Sequence, residues 1–336
     1  MSDTPTVSLM KQDQSSITTL IFKKTSSIAN LGVYLFLLLL VIFFSLVTDG
    51  FLTFTNFINI VRQIAIIGIA AFGEAFVLLT GAIDLSIGAI IGLSGVTSAI
   101  LIRDAGFNVP LALLCGVLAG TGIGLLNGLI VSKLKIPAII ATLGTYTIVR
   151  GLSNLVAGGM SVFGMPDQYK ILGRGYISFL PIPVVVMIAV LVLLYLVLNH
   201  MPFGRYVYAV GSNLEAARIT GINISKIRNI VFTISGTTAG IAGVILSSRL
   251  DAGQAVPVYN FELNVITAVV LGGISIMGGK GRIFGVVVGV LIIGVLENGL
   301  ILLNVLFYSQ LVIKGPVLLM ALGLDRLSQK SLERLE

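Results

Sequence analysis

Charge is what this sequence has little of. Only 10% of its 336 residues are Asp, Glu, Lys or Arg, against about a quarter in an ordinary soluble domain. Together with 56% hydrophobic residues and a mean hydropathy of +1.07, this deficit excludes a soluble cytosolic enzyme. The single cysteine, Cys115, excludes a disulfide within the chain. With one histidine, His200, it also excludes a metal cluster built from Cys and His. Nucleotide-binding and hydrolytic signatures are missing as well. Residues 272–281 approach a phosphate-binding loop, but the spacing fails and no Ser or Thr follows Lys280. No Gly-x-Ser-x-Gly nucleophile motif occurs. If ATP drives this protein, another chain must hydrolyse it. The net charge of +7 does not point to nucleic acid, because the basic residues lie between apolar runs, where membrane topology puts them.

What the sequence does have is apolar runs: 31–47, 60–79, 86–102, 110–131, 136–157, 182–198, 230–246, 262–277, 284–303 and 311–327. A membrane span needs about 20 apolar residues, so the expectation is an all-α integral membrane protein of about ten transmembrane helices. The first run is followed by Thr48-Asp49-Gly50-Phe51, with no small-x-small cleavage pattern, and reads as a retained span. Alternating spans with the N-terminus inside put 14 of the 21 Lys and Arg residues on the cytoplasmic side. That bias favours both termini being cytoplasmic. The expected organisation is a cytoplasmic segment 1–30, a transmembrane domain 31–327, and a cytoplasmic tail 328–336. Two connections are long enough to need a role: 158–181 outside and 199–229 inside.

Glycine is abundant and periodic. Gly116, Gly120, Gly124 and Gly128 recur every fourth residue, as do Gly281, Gly285 and Gly289, and Gly236 and Gly240. Such residues share one helix face and let two backbones approach closely, so the reading is glycine-rich close packing. Polar groups inside the runs are costly unless they face protein or water. They include Glu74, Asp84, Arg150, Glu297 and Lys314, with Gln63, Asn127 and Asn298. Glu74 reads either as a proton relay or as a hydrogen-bonded carboxyl at a helix contact. Asp84 precedes a span and is a candidate helix cap. Arg150 and Lys314 lie near span ends and are expected to snorkel to water. Asn127, Thr142, Thr145 and Asn298 are candidates to line a pathway. A proton-coupled secondary transporter using Glu74 and Glu297 is the rival reading. An intramembrane enzyme is a more distant one, since His200 falls in a loop.

The inner connection carries the most specific signal. In Ser212-Asn213-Leu214-Glu215-Ala216-Ala217-Arg218, Ser212 and Glu215 have capping-box spacing, and Gly221 suits the position just past a helix end. The expected helix has about two turns, too short to span. The stretch from Gly204-Arg205 to Gly221-Ile222 resembles the coupling region of the ribose-type permeases of binding-protein-dependent ABC importers. That family handles ribose, arabinose, xylose, galactose and autoinducer-2. Ser212 stands where the family usually has Gly. Two further stretches are similar to family motifs: Gly81-Ala82-Ile83-Asp84-Leu85-Ser86-Ile87-Gly88, and Val270-Leu271-Gly272-Gly273-Ile274-Ser275 leading into Gly278-Gly279-Lys280-Gly281. Residues 140–145 fit its fifth span.

The resemblance implies a non-enzymatic transport subunit in the bacterial inner membrane. Its implied partners are a second permease, identical or paralogous, a periplasmic solute-binding protein and a cytoplasmic ATPase that holds ATP and Mg. No cofactor is implied on this chain. Ser212, Asn213, Glu215, Ala216, Ala217, Arg218 and Gly221 would meet the ATPase. Nothing in the resemblance fixes the solute.

Overall fold

The computed structural model describes residues 32–256 and 259–333. The expected N-terminal segment 1–30 lies outside the described residues, as do the last three residues of the tail. Each of the ten apolar runs carries a helix. These are α1 (Gly32–Val47), α2 (Phe54–Leu79), α3 (Ile87–Arg103), α4 (Val109–Lys133), α5 (Ala138–Val156), α7 (Ile182–His200), α10 (Ile224–Leu250), α11 (Phe261–Leu271), α12 (Ile283–Leu302) and α13 (Phe307–Glu333). The two long connections supply the rest. Connection 158–181 folds α6 (Asp167–Arg174) and a minimal hairpin of β1 (Tyr176–Ile177) and β2 (Leu180–Pro181). Connection 199–229 folds α8 (Pro202–Ser212) and α9 (Leu214–Ile219).

Among the described residues, six helices are long and apolar enough to cross a membrane: α2, α4, α5, α7, α10 and α12. The other four runs are shorter. Helix α3 has 17 residues, about 25 Å of rise against a hydrocarbon core of about 30 Å. Helix α11 stops at Leu271, so residues 272–277, expected within a span, are not helical. Gly273, with φ +83°, turns the chain away there. Local chemistry sets several helix starts. Thr53 caps α2 by accepting from the Asn56 N–H, Asn108 caps α4 from Leu111, and Asn223 caps α10 from Lys226.

Helices α2 and α10 form the centre, with 83% and 72% of their most apolar windows buried, against 28% for α4, α5 and α7. The outer faces of those three are left for lipid or another subunit. The glycine repeat of α4 packs on that of α10. A Cβ at Gly120 would lie 2.8 Å from the Gly236 oxygen and the Gly240 Cα, and one at Gly124 would lie 2.8 Å from the Gly236 Cα. Gly116 lies instead against Ser94 and Val244, and Gly128 against Asn229. Gly285 and Gly289 face the backbone of Gly272 and Ala268, which joins α12 to α11. Without side chains in the seam, the helices gain van der Waals contact directly between backbones.

A hydroxyl cluster fixes connection 158–181. Tyr169 is fully buried, donates to Ser247 Oγ (2.7 Å), and shares a hydrogen bond with Ser98 Oγ (2.9 Å). Ser248 Oγ donates to the Tyr169 carbonyl and accepts from the Gly173 N–H. Val162 and Gly253 exchange backbone bonds. The connection is thereby tied to α3 and to the end of α10.

Candidate functional site

Connection 199–229 differs in detail from its expected form. His200 is the last residue of α7, not a loop residue, and its ring packs on Tyr195. Pro202 opens α8, where a missing N–H does no harm. The chain then breaks at Asn213 (φ −157°, ψ 106°), and Asn213 Oδ1 accepts from the Ala216 N–H at 2.9 Å. The cap of α9 is therefore Asn213. Ser212 closes α8, because the break in helical backbone falls one residue later than the capping-box spacing suggests. Glu215 does not reach back to Ser212. It pairs with Arg218 at 3.2 Å on the exposed face. The far end follows the sequence more closely. The Gly221 N–H bonds to the Arg218 carbonyl and the Ile222 N–H to that of Ala217, with Gly221 at φ +81°. This is the paired arrangement that a glycine just past the helix end permits. Ala217 is the buried residue of α9, whereas Glu215, Ala216, Arg218 and Ile219 face outward.

The segments that carry the family resemblance meet at one place. The Gly279 N–H donates to the Leu79 carbonyl at 2.9 Å. Gly211, on the last turn of α8, leaves no room for a Cβ between the Leu79 carbonyl and the Gly279 N–H. A Cβ at Gly278 would lie 2.6 Å from the Gly81 N and 3.1 Å from the Gly211 Cα. One at Gly279 would lie 2.7 Å from the Ser212 Cα. Tyr208 donates to the Gly281 carbonyl at 2.9 Å, and burial raises its hydroxyl above the ordinary tyrosine value, against a smaller pull from Arg282. Thus α8, the α2–α3 turn and the α11–α12 turn touch backbone to backbone. Gly211 and Tyr208 are not singled out by sequence reasoning. Their only signal is that glycines cluster in three separate connections, and spacing along the chain does not reveal mutual contact.

The α2–α3 turn also holds a buried polar cluster. Asp84 Oδ1 accepts from the Ser86 N–H (2.9 Å) and Oγ–H (2.6 Å). Asp84 therefore closes a turn instead of capping α3, whose start at Ser86 has no side-chain cap. Asn127 Nδ2 donates to Ser86 Oγ at 2.8 Å. Glu74 Oε1 accepts from the Asp84 N–H at 3.0 Å, and Ser235 Oγ lies 3.2 Å from Asp84 Oδ2. Gly81 takes φ +74°, and Gly88 packs against the Glu262 carboxyl.

The other pathway candidates also have partners within the subunit. Thr142 bonds to the Ala138 carbonyl (2.9 Å) and Thr145 to that of Ala141 (3.2 Å). Asn298 and Asn56 exchange amide bonds of 2.9 and 2.8 Å between α12 and α2. Glu297 accepts from Gln63 (2.5 Å), Asn264 (2.7 Å) and Lys314. Lys314 is thus an ion-pair partner instead of a snorkelling side chain: Glu297 lies across from it on α12, and pairing offsets the burial of both charges. Arg150 likewise stays with protein, donating to Tyr146 Oη (2.6 Å) and lying over the rings of Tyr146 and Tyr259. Among the described residues, no three His, Cys, Asp or Glu side chains converge as a metal site.

With this geometry in hand, known proteins give the context. The family described as branched-chain amino acid transport system / permease component matches residues 56–322. The ribose import permease protein of Bacillus subtilis is 44% identical over 298 residues, covering 88% of this chain and 92% of its own. The L-arabinose transport system permease protein of Escherichia coli is 40% identical, covering 84% of this chain and 86% of its own. The D-allose transport system permease protein of Escherichia coli is 37% identical, covering 88% and 91%. No solved structure gives a significant match.

Proposed function

This chain belongs to the permease-component family of branched-chain amino acid transport systems, in its ribose-type sugar branch, and from that premise we propose how it works. It is the membrane permease subunit of an ABC importer for a sugar. It is not itself an enzyme, and ATP hydrolysis belongs to a separate subunit. The relatives named above are permeases for ribose, L-arabinose and D-allose, so the solute is a pentose or hexose, or a compound of similar shape such as autoinducer-2.

The finer reading is as follows. Ten segments cross or enter a bacterial inner membrane, with both termini and connection 199–229 in the cytoplasm. Two permease subunits, identical or paralogous, enclose the pathway. A periplasmic binding protein delivers solute, and a cytoplasmic ATPase carrying ATP and Mg contacts the exposed face of α9. The observation that supports this best is the backbone junction of Gly211, Gly279 and Leu79. Through it, a push on α9 reaches α8, then the ends of α2 and α11 and the start of α12. Closure of the ATPase on ATP would thereby tilt several membrane helices at once and switch access from one side to the other.

The test is partner dependence. Permease reconstituted with its ATPase and binding protein should take up labelled pentose or hexose only when ATP is inside. Cysteine labelling should reach Arg218→Cys and Lys133→Cys from the cytoplasmic side and Lys170→Cys from the other. Uptake by the permease alone, driven by a proton gradient, would instead make it a secondary transporter. The pairing of Glu297 with Lys314 argues against that alternative, because a proton carrier needs a carboxyl free to change its charge.

A further inference from the structure

Two neighbouring carboxyl groups are buried together in the membrane domain without a basic partner. Glu74 and Asp84 are both 0% exposed. No Lys, Arg or His pairs with either among the described residues, and each sees chiefly the other and neutral donors. Of the other buried carboxyls, Glu297 has Lys314 and Glu262 has Arg150 in its surroundings. Two adjacent buried anions with no counter-charge are untenable in a low-dielectric interior, so the cluster must take up a cation.

Hydrogen-bond accounting says where a proton would go. Ser235 Oγ lies 3.2 Å from Asp84 Oδ2 and 3.4 Å from Glu74 Oε2. A serine hydroxyl has one hydrogen, so it can satisfy only one of these oxygens. The other contact is attractive only if the carboxyl itself supplies the hydrogen. Asp84 already accepts two bonds from Ser86 and stands beside the first turn of α3, whose free N–H groups favour negative charge. Glu74 accepts one bond, from the Asp84 N–H. The remaining member of the cluster points the same way. Asn127 is fully buried, its Nδ2 is committed to Ser86 Oγ, and its Oδ1 has no donor. The cluster is short of hydrogens, not of acceptors.

We propose that this cluster is a proton-binding site. One proton is held on Glu74 Oε2 and donated to Ser235 Oγ, Ser235 donates to Asp84 Oδ2, and the single remaining charge rests on Asp84. The bound proton locks α2 and α10 to the α2–α3 turn, immediately behind the backbone junction with α8. It is a resident proton and does not travel with solute.

Infrared spectroscopy on the full-length protein in lipid nanodiscs tests this without reference to transport. At neutral pH the wild type should show the carbonyl stretch of a protonated carboxyl, moving in heavy water. Glu74→Gln should abolish that band, and Asp84→Asn should keep it. Ser235→Ala should shift the band to higher frequency by removing its acceptor, which provides an independent check if Asp84→Asn folds poorly. Absence of a Glu74-dependent band in folded wild type would overturn the proposal. So would its disappearance when choline chloride is replaced by sodium chloride, since the site would then hold a metal cation.

Discussion

The two long connections of this molecule are fastened differently. Connection 199–229 is held by backbone: Gly211 against Leu79 and Gly279, with Tyr208 on a carbonyl. Connection 158–181 has backbone contacts too, Val162 with Gly253 and Gly173 against Arg249, but adds a hydroxyl cluster: Tyr169 on Ser98 and Ser247, and Ser248 under Gly173. Backbone contact leaves no rotamers to absorb movement, so a displacement at one side reaches the other. Hydroxyl contacts can lengthen or change partners and still hold. The first arrangement suits a transmitter, and the second suits a cover that must stay closed over a moving bundle.

The harshest test of this contrast is Gly211→Val. Its branched Cβ collides with the Leu79 carbonyl, and overpacking of this kind costs roughly 1–3 kcal/mol or more. Solute-stimulated ATP hydrolysis and uptake should both fall to background, even in the fraction that reaches the membrane. Normal uptake by this variant would remove the junction from the mechanism. Asn213→Ala comes next. It loses the α9 cap, worth about 1 kcal/mol, so abundance should be normal while coupled ATP hydrolysis drops severalfold. Ser212→Ala, one residue away, should leave coupling intact; the reverse ranking would restore Ser212 as the cap. Tyr169→Phe strips the hydroxyl from Ser98 and Ser247, and a buried polar group left unpaired costs about 1–3 kcal/mol. Its thermal midpoint should fall, with uptake changed less than the Asn213→Ala value. Glu215→Gln breaks only an exposed pair, so its midpoint should not move. Any loss of ATPase binding by Glu215→Gln then reports contact with the partner, not folding.

Much of this was readable before the structure. The apolar runs mark the six helices that are long and apolar enough to cross a membrane, because hydropathy is written residue by residue. The glycines of α4 and α10 announce their seam, because every fourth residue falls on one face. Gly221 announces the end of α9, because few other residues accept φ +81°. What was not readable is what depends on the path the folded backbone takes, whether it joins distant residues or shifts a cap by one position. Lys314 looks like a snorkelling residue until α13 brings it to Glu297. Asp84 looks like a cap until the α2–α3 turn folds it onto Ser86. Asn213 displaces Ser212 as the cap by a one-residue difference in where the backbone leaves the helix, which is finer than a spacing rule resolves. The meeting of Gly81, Gly211 and Gly278 has no periodicity at all.

The paired amides of Asn56 and Asn298 carry a consequence for how this chain can change over generations. Each gives the other one hydrogen bond and takes one, and Asn56 Nδ2 donates to the Phe51 carbonyl as well, so neither position can vary alone without stranding the other's amide at depth. A library randomising either site singly should return asparagine almost exclusively. One randomising both should recover, besides the asparagine pair, mainly pairs that keep a donor at position 56 for the Phe51 carbonyl. The route from one solution to the other runs through a poorer intermediate. The two codons are therefore expected to be inherited as a unit among descendants of this protein.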